Sequence, residues 1–160
     1  MANGTPSVPG NPHPQESYSN AATASQLFEA STGYAYQCYN TGEDLFHRNV
    51  RTILKQCWPV LSFAEQMRRT WINESVLCSA EKEGGTVPAE TCRECGERYL
   101  RRQLALFNNA LIVALGSKAK ARAKGISGII AVASPAPPGC NKKESRESWN
   151  IIPDKWNESF

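Results

Sequence analysis

The chain has 160 residues, 41% hydrophobic and 21% charged, with a formal net charge of +3. That is the length of one ordinary domain with enough apolar content to bury a core, which excludes a chain disordered throughout. No run approaches the ~18 apolar residues of a membrane helix, and Met1 to Asn20 lacks the apolar stretch of a secretory signal. The expectation is a monomer with no membrane association in a cytoplasmic location, nucleoid-associated if the source is bacterial.

Taken in chain order, residues 1–22 read as a Pro/Gly-rich segment, because Pro6, Pro9, Pro12 and Pro14 exclude a helix interior. A short helix is predicted from Ser25 to Ala30 with Ser25 as its cap, followed by a turn-rich, aromatic stretch from Gly33 to Gly42. Leu45, Val50, Ile53, Leu54 and Cys57 recur at helical spacing, and Pro59 ends that helix. A further short helix is predicted over Phe63 to Arg69, capped by Ser62. Trp71 to Cys78 reads as a strand, and Ser79 to Pro88 as a turn around Gly84 and Gly85.

The second half alternates more regularly. A helix is predicted from Ala89 to Phe107, with an inward stripe of Cys92, Cys95, Tyr99, Leu100, Gln103, Leu104 and Phe107. Ala110 to Leu115 is a continuous apolar run, suited to a strand buried on both faces of a parallel sheet. Ser117 to Lys124 reads as a helix ended by Gly125, and Gly128 to Ala133 as a second apolar run and strand. The last helix is predicted over Lys142 to Ile151, and 153–160 as a C-terminal tail. Strand and helix in alternation imply an α/β fold, in which ligands bind beyond the carboxyl ends of the strands. The loops after Cys78, Leu115 and Ala133 are therefore the candidate sites.

Charge and cysteine usage narrow the chemistry. Eight Lys or Arg fall between Arg93 and Lys124 against Glu94 and Glu97, and Lys142, Lys143 and Arg146 form a second basic cluster. Such clusters suit a polyanion, since neutralised phosphates release counterions; a solvated helix face is the plainer alternative. Of the six cysteines, only Cys92 and Cys95 form a CxxC, with no second ligand pair at zinc-site spacing. They are expected to be reduced and mostly small core residues, with a metal site on Cys92 and Cys95 as the lesser alternative. The Asn-x-Ser/Thr triplets at Asn3, Asn73 and Asn157 read as chance occurrences in the absence of an export signal.

Three ordered segments resemble the uracil-DNA glycosylase superfamily, its bacterial members in particular. They are Trp71 to Cys78 with the helix carrying Cys95, Tyr99, Leu100 and Gln103; Leu111 to Gly116 with Ser117 and Lys118; and Ser134-Pro-Ala-Pro137 with Gly139, Asn141 and Trp149. Upstream, Gly10 to Glu16 looks like that superfamily's first active-site loop, so the resemblance spans roughly residues 8–150. It implies a three-layer sandwich around a central, mostly parallel sheet over 23–152. It also implies DNA as partner and hydrolysis of the N-glycosidic bond of uracil or another deaminated base, flipped out of the helix.

The same resemblance distributes roles. Asn11, His13 and Glu16 would hold the attacking water; Tyr36 or Phe46 would stack on the base, with Tyr39 a further candidate; and Asn73 or Glu74 would read its pairing edge. Ser134 would face the leaving base, while Gly116, Ser117, Pro135, Ala136, Pro137, Lys142, Lys143 and Arg146 would meet DNA. Two positions depart from the family pattern: Ser134 stands where a loop histidine is usual, and Glu74 where a base-reading Asn is usual. A carboxylate cannot both donate and accept unless protonated. These departures favour, as the alternative, a catalytically impaired nucleic-acid-binding domain. Some branches hold an iron-sulfur cluster on four cysteines. Cys78 and Cys95 resemble the later pair, but no cysteine precedes Cys38, so neither that cluster nor zinc is expected and no cofactor is implied.

Overall fold

The computed structural model describes residues 23–76 and 86–159. The first loop, with Asn11, His13 and Glu16, lies outside them, as do Cys78 and the Gly84-Gly85 turn.

The first helix, α1, spans Ala24–Thr41. It starts one residue earlier and runs much further than Ser25 to Ala30. Its cap is Thr23, not Ser25: Thr23 Oγ1 accepts from Gln26 N–H at 3.2 Å, and Gln26 Oε1 accepts from Thr23 N–H at 3.1 Å. That reciprocal box satisfies two otherwise orphaned donors. Gly33 lies inside the helix without breaking it, and burial of Cys38 and Tyr39 one turn further on holds the C-terminal half down. The helix ends at Gly42, whose φ of +63° is the left-handed conformation that favours glycine.

Two helices match their sequence pattern. The second helix, α2, covers Leu45–Cys57, with Asp44 as its cap, and its Val50, Ile53 and Leu54 are buried. The third, α3, covers Phe63–Arg68, capped by Ser62 in a box with Glu65. Buried Gln66 donates to the carbonyls of Trp58 and Leu61 at 2.9 and 3.1 Å, fixing the turn between them.

Residues 71–76 are not a strand. They bear an apolar run, but among the described residues neither of the two strands pairs with them. Instead side chains tie them down: Asn73 Nδ2 donates to Gln103 Oε1, and Arg122 Nη1 donates to Ser75 Oγ at 3.0 Å. Helix α4, Ala89–Cys95, continues through a π-helical segment, Gly96–Leu100, into α5, Arg101–Leu104. The π segment rotates the face of the helix, so the expected stripe is not uniformly inward: Cys95 is buried and Tyr99 is exposed.

Strands β1 (Ile112–Leu115) and β2 (Ile129–Val132) pair in parallel, with Ile112 opposite Ile129 and Leu115 opposite Val132. Helix α6, Ser117–Arg122, connects them, as a parallel pair requires. Because side chains alternate along a strand, Val113 and Leu115 share a face with their partners Ile130 and Val132. That face packs on Ile53, Cys140, Trp149 and Ile152. A second apolar cluster joins Tyr39, Val50 and Leu54 with Phe46, Trp58, Phe63 and Met67. The architecture is α/β and helix-rich, and the parallel pair is the sheet of the described residues.

The C-terminal region carries α7 (Lys143–Glu147), a 3-10 turn (Ser148–Asn150) and α8 (Ile151–Ser159). Helix therefore continues well past Ile151, through most of the expected tail. Pro153 sits in the first turn of α8, where its missing N–H breaks no helical bond. Trp156 meets Trp58 edge-on at 5.1 Å, which docks α8 against the end of α2.

Candidate functional site

The strand ends and the loops after them define the site. Gly116 follows β1 with φ +96°, and its N–H donates to Val132 O at 2.8 Å. A Cβ at Gly116 would lie 3.0 Å from Ser134 Cβ, and one at Gly139 only 2.7 Å from it. Ser134 is thus clasped between two glycines, and both positions require the absence of a side chain.

The loop after β2 is tied on every side. Ala133 N–H donates to Ser148 Oγ and Ala133 O accepts from Trp149 Nε1, both at 3.0 Å. Ser134 Oγ accepts from Ala136 N–H at 3.1 Å, and Pro135 O accepts from Asn49 Nδ2 at 2.8 Å. Arg146 Nη1 donates to the carbonyls of Cys140 and Asn141 at 2.8 and 3.3 Å. Pro135 is fully buried, Ala136 half-buried and Pro137 exposed. The guanidinium of Arg146 is therefore committed in part to the loop backbone. Lys142 is exposed, and exposed Lys143 pairs with Glu147 at 3.5 Å.

A cavity of about 1950 Å³ opens against this loop. It brings together Ser134, Ala136, Pro137, Gly116 and Ser117 with Phe46, Asn73 and Glu74, residues drawn from four stretches of chain. Tyr36 stands apart: it packs on Phe63 at 5.5 Å and lines a separate, shallower depression. Asn73 is exposed and engaged with Gln103, while Glu74 is half-buried. Burial raises the Glu74 carboxyl above the usual carboxylate range, an effect Arg122 partly offsets. Glu74 and Asp44 are near enough to Tyr39 for their charges to add to the rise that burial imposes on its phenol.

Residue reasoning missed a pair in this cavity. His47 is 6% exposed, and its Nδ1 lies 2.9 Å from Asp44 Oδ1, the same oxygen that accepts from His47 N–H. The signal was present as Asp-x-x-His at a helix start, a cap followed three residues later by an imidazole.

The cysteines do not behave uniformly. Cys38, Cys57, Cys92 and Cys140 are free, but Cys95, 2% exposed, is disulfide-bonded, contrary to the expectation of reduced thiols throughout. Among the described residues no cluster of three or more His, Cys, Asp or Glu is placed to hold a metal. Cys92 and Cys95 differ in state.

Among the described residues, no helix is long and apolar enough to cross a membrane. No curated protein and no solved structure matches the chain. Residues 23–154 match the family model described as the Uracil DNA glycosylase superfamily, a range that starts after the first loop and takes in both strands, the Ser134 loop and the segment bearing Glu74. The chain belongs to the uracil-DNA glycosylase superfamily.

Proposed function

We propose that this protein is a DNA glycosylase-like hydrolase that removes uracil or another deaminated base from DNA. The observation carrying this reading is the glycine-clasped Ser134 loop beside a large cavity, in a chain whose superfamily acts on DNA. The cavity exceeds the ~300–1,000 Å³ of an ordinary small-molecule pocket, which suits a flipped nucleotide with its flanking strand. The parallel β1–β2 pair would be the centre of a three-layer sandwich completed by the helices on either side.

In this reading a flipped base stacks on Phe46 and presents its edge to Asn73 or Glu74. A protonated Glu74 offers one donor and one acceptor, as an amide does, and burial favours that form. Ser134 Oγ accepts from Ala136 N–H and retains its own proton to donate toward the departing base. Asn11, with His13 or Glu16, would position water. Gly116, Ser117, Pro135, Ala136 and Pro137 would form the DNA-facing rim, with Lys142, Lys143 and Arg146 beside it. No cofactor is needed, since water is the only second reactant. The protein acts as a monomer in the cytoplasm.

The test is release of base from an oligonucleotide carrying one uracil, with hypoxanthine and undamaged controls. Abasic sites that require the uracil, and that vanish in Asn11→Ala, are the expected result. Ser134→His, which restores an imidazole at the loop, is expected to raise the rate. Tight DNA binding without any release would establish instead a catalytically impaired binding domain, the reading that Ser134 and Glu74 favour.

A further inference from the structure

The Asp44–His47 pair has more structure than a helix cap needs. A cap requires only a side-chain oxygen accepting a backbone N–H near the helix start, and Asp44 Oδ1 already does this for His47 N–H at 2.9 Å. The imidazole turns back on that same oxygen, with Nδ1 also at 2.9 Å. Nδ1 facing a carboxylate carries the proton, which leaves Nε2 with a lone pair.

The ring is held on its other sides as well. Tyr39 meets it edge-on at 4.6 Å and Phe46 at 5.3 Å, with interplanar angles of 74° and 82°. Among the described residues Nε2 makes no hydrogen bond, and it is not one of the enclosed atoms left without a partner. His47 lines the same cavity as Ser134, Glu74 and Phe46. An oriented, mostly buried imidazole therefore borders the space that a substrate would enter. The chain has two histidines, and with serine at position 134, His47 is the imidazole of the described residues.

We infer that Asp44 and His47 form a general-base dyad acting on the water that cleaves the glycosidic bond, an inference that rests on the glycosylase reading. In the step, the water oxygen bonds to the sugar carbon C1′ while the C1′–N bond breaks, its electron pair leaving with the base. His47 Nε2 takes the water proton, and Asp44 steadies the resulting imidazolium. The proton then passes to the departed base, so the products are the neutral base and an abasic sugar hydroxyl.

The experiment is single-turnover uracil release by the full chain, in the wild type, His47→Gln and Asp44→Ser. Serine retains the helix cap and removes the carboxylate, so the second variant guards against a folding defect in the first. His47→Gln is expected to lose about 10²- to 10⁴-fold in rate with DNA binding unchanged, as removal of a general base does. Asp44→Ser acts through the imidazole, and nitrogen-15 NMR in a His13→Gln background, which leaves one histidine, reads that directly. The proton is expected on Nδ1 in the Asp44 protein and predominantly on Nε2 in Asp44→Ser. A folded His47→Gln that releases uracil at the wild-type rate overturns the dyad and leaves the glycosylase reading intact. A proton on Nε2 in the Asp44 protein also overturns it. A wild type that releases no base overturns both.

Discussion

Loop 133–141 and stretch 71–76 both border the cavity, and they are held by different kinds of bonds. In the loop the backbone itself is gripped: Ala133 through both its N–H and its carbonyl, Pro135 by Asn49, and Cys140 and Asn141 by Arg146. In stretch 71–76 two ties run from side chain to side chain, Asn73 to Gln103 and Ser75 to Arg122. Backbone anchoring from several elements fixes position to a fraction of an ångström, whereas long side chains leave freedom to adjust. A group that must meet one atom of a leaving base belongs on the first kind of support. A group that must accommodate the edge of an incoming base can sit on the second.

The most damaging way to break this contrast is to fill the clasp around Ser134. Gly139→Ala places a Cβ 2.7 Å from Ser134 Cβ and 3.1 Å from its carbonyl oxygen, so backbone must move. Gly116→Ala combines a 3.0 Å approach with a φ of +96°. Each is expected to cost about 1–3 kcal/mol by denaturant unfolding, the range for overpacking a tight site. Asn73→Ala, at an exposed position, is expected to stay within about 0.5 kcal/mol of wild type. Equal losses at the two places would remove the distinction.

A smaller effect is expected at the joint between α2 and the loop. Asn49→Leu deletes the donor to Pro135 O and leaves that carbonyl unpaired beside a buried ring. The expected loss is about 1–2 kcal/mol, since an unmade buried hydrogen bond costs its desolvation. Trp149→Phe removes the donor to Ala133 O and leaves a small cavity in the core, and should cost about 2 kcal/mol.

Glu74 sharpens the contrast through pH. Its carboxyl titrates above the ordinary carboxylate range because of burial, so between those two values the folded state holds a proton that the unfolded chain has lost. The stability from this source is complete below the ordinary range and is lost as pH rises through the raised value. Glu74→Gln carries no such titration. Its stability should approach that of the wild type at low pH and gain on it as pH rises through that window, read by urea unfolding at a series of pH values. A constant difference between the two proteins would mean that Glu74 ionises in the folded state as freely as in the unfolded one.

The legible parts of this molecule were those set by local rules. The apolar runs from Ala110 to Leu115 and from Gly128 to Ala133 mark two parallel strands, although burial is only partial: Ala114 and Val132 are buried, and Ala131 is exposed. Ser62 and Glu65 announce α3 in the same local way. The failures needed distant information. Residues 71–76 carry strand-like composition, yet a strand exists only if a neighbour offers its edge, and side-chain ties to Gln103 and Arg122 took that place. Gly33 and the aromatic residues after it suggest a turn, but burial of Cys38 and Tyr39 outweighs the ~1 kcal/mol that a mid-helix glycine costs. At the site, Ser134 and Glu74 were visible as departures from a pattern. The pairing of His47 with Asp44 was written in the sequence, but its exposure to the cavity depends on how α1 and α2 pack.

The smallest expected effects separate the three cations beside the loop. Lys142 and Lys143 are exposed, and the Lys143–Glu147 pair is a surface ion pair worth little in water. Arg146 already donates to two carbonyls of the loop. If the two lysines meet phosphates, Lys142→Ala and Lys143→Ala should each lower the slope of log affinity against log salt by about 1, while weakening binding evenly across DNA sequences. Arg146→Ala should change that slope less, but should also lower thermal stability by loosening the carbonyls of Cys140 and Asn141. Reversed results, a large slope change at Arg146 and none at the lysines, would make the guanidinium the DNA contact. The loop would then tighten only when DNA is absent.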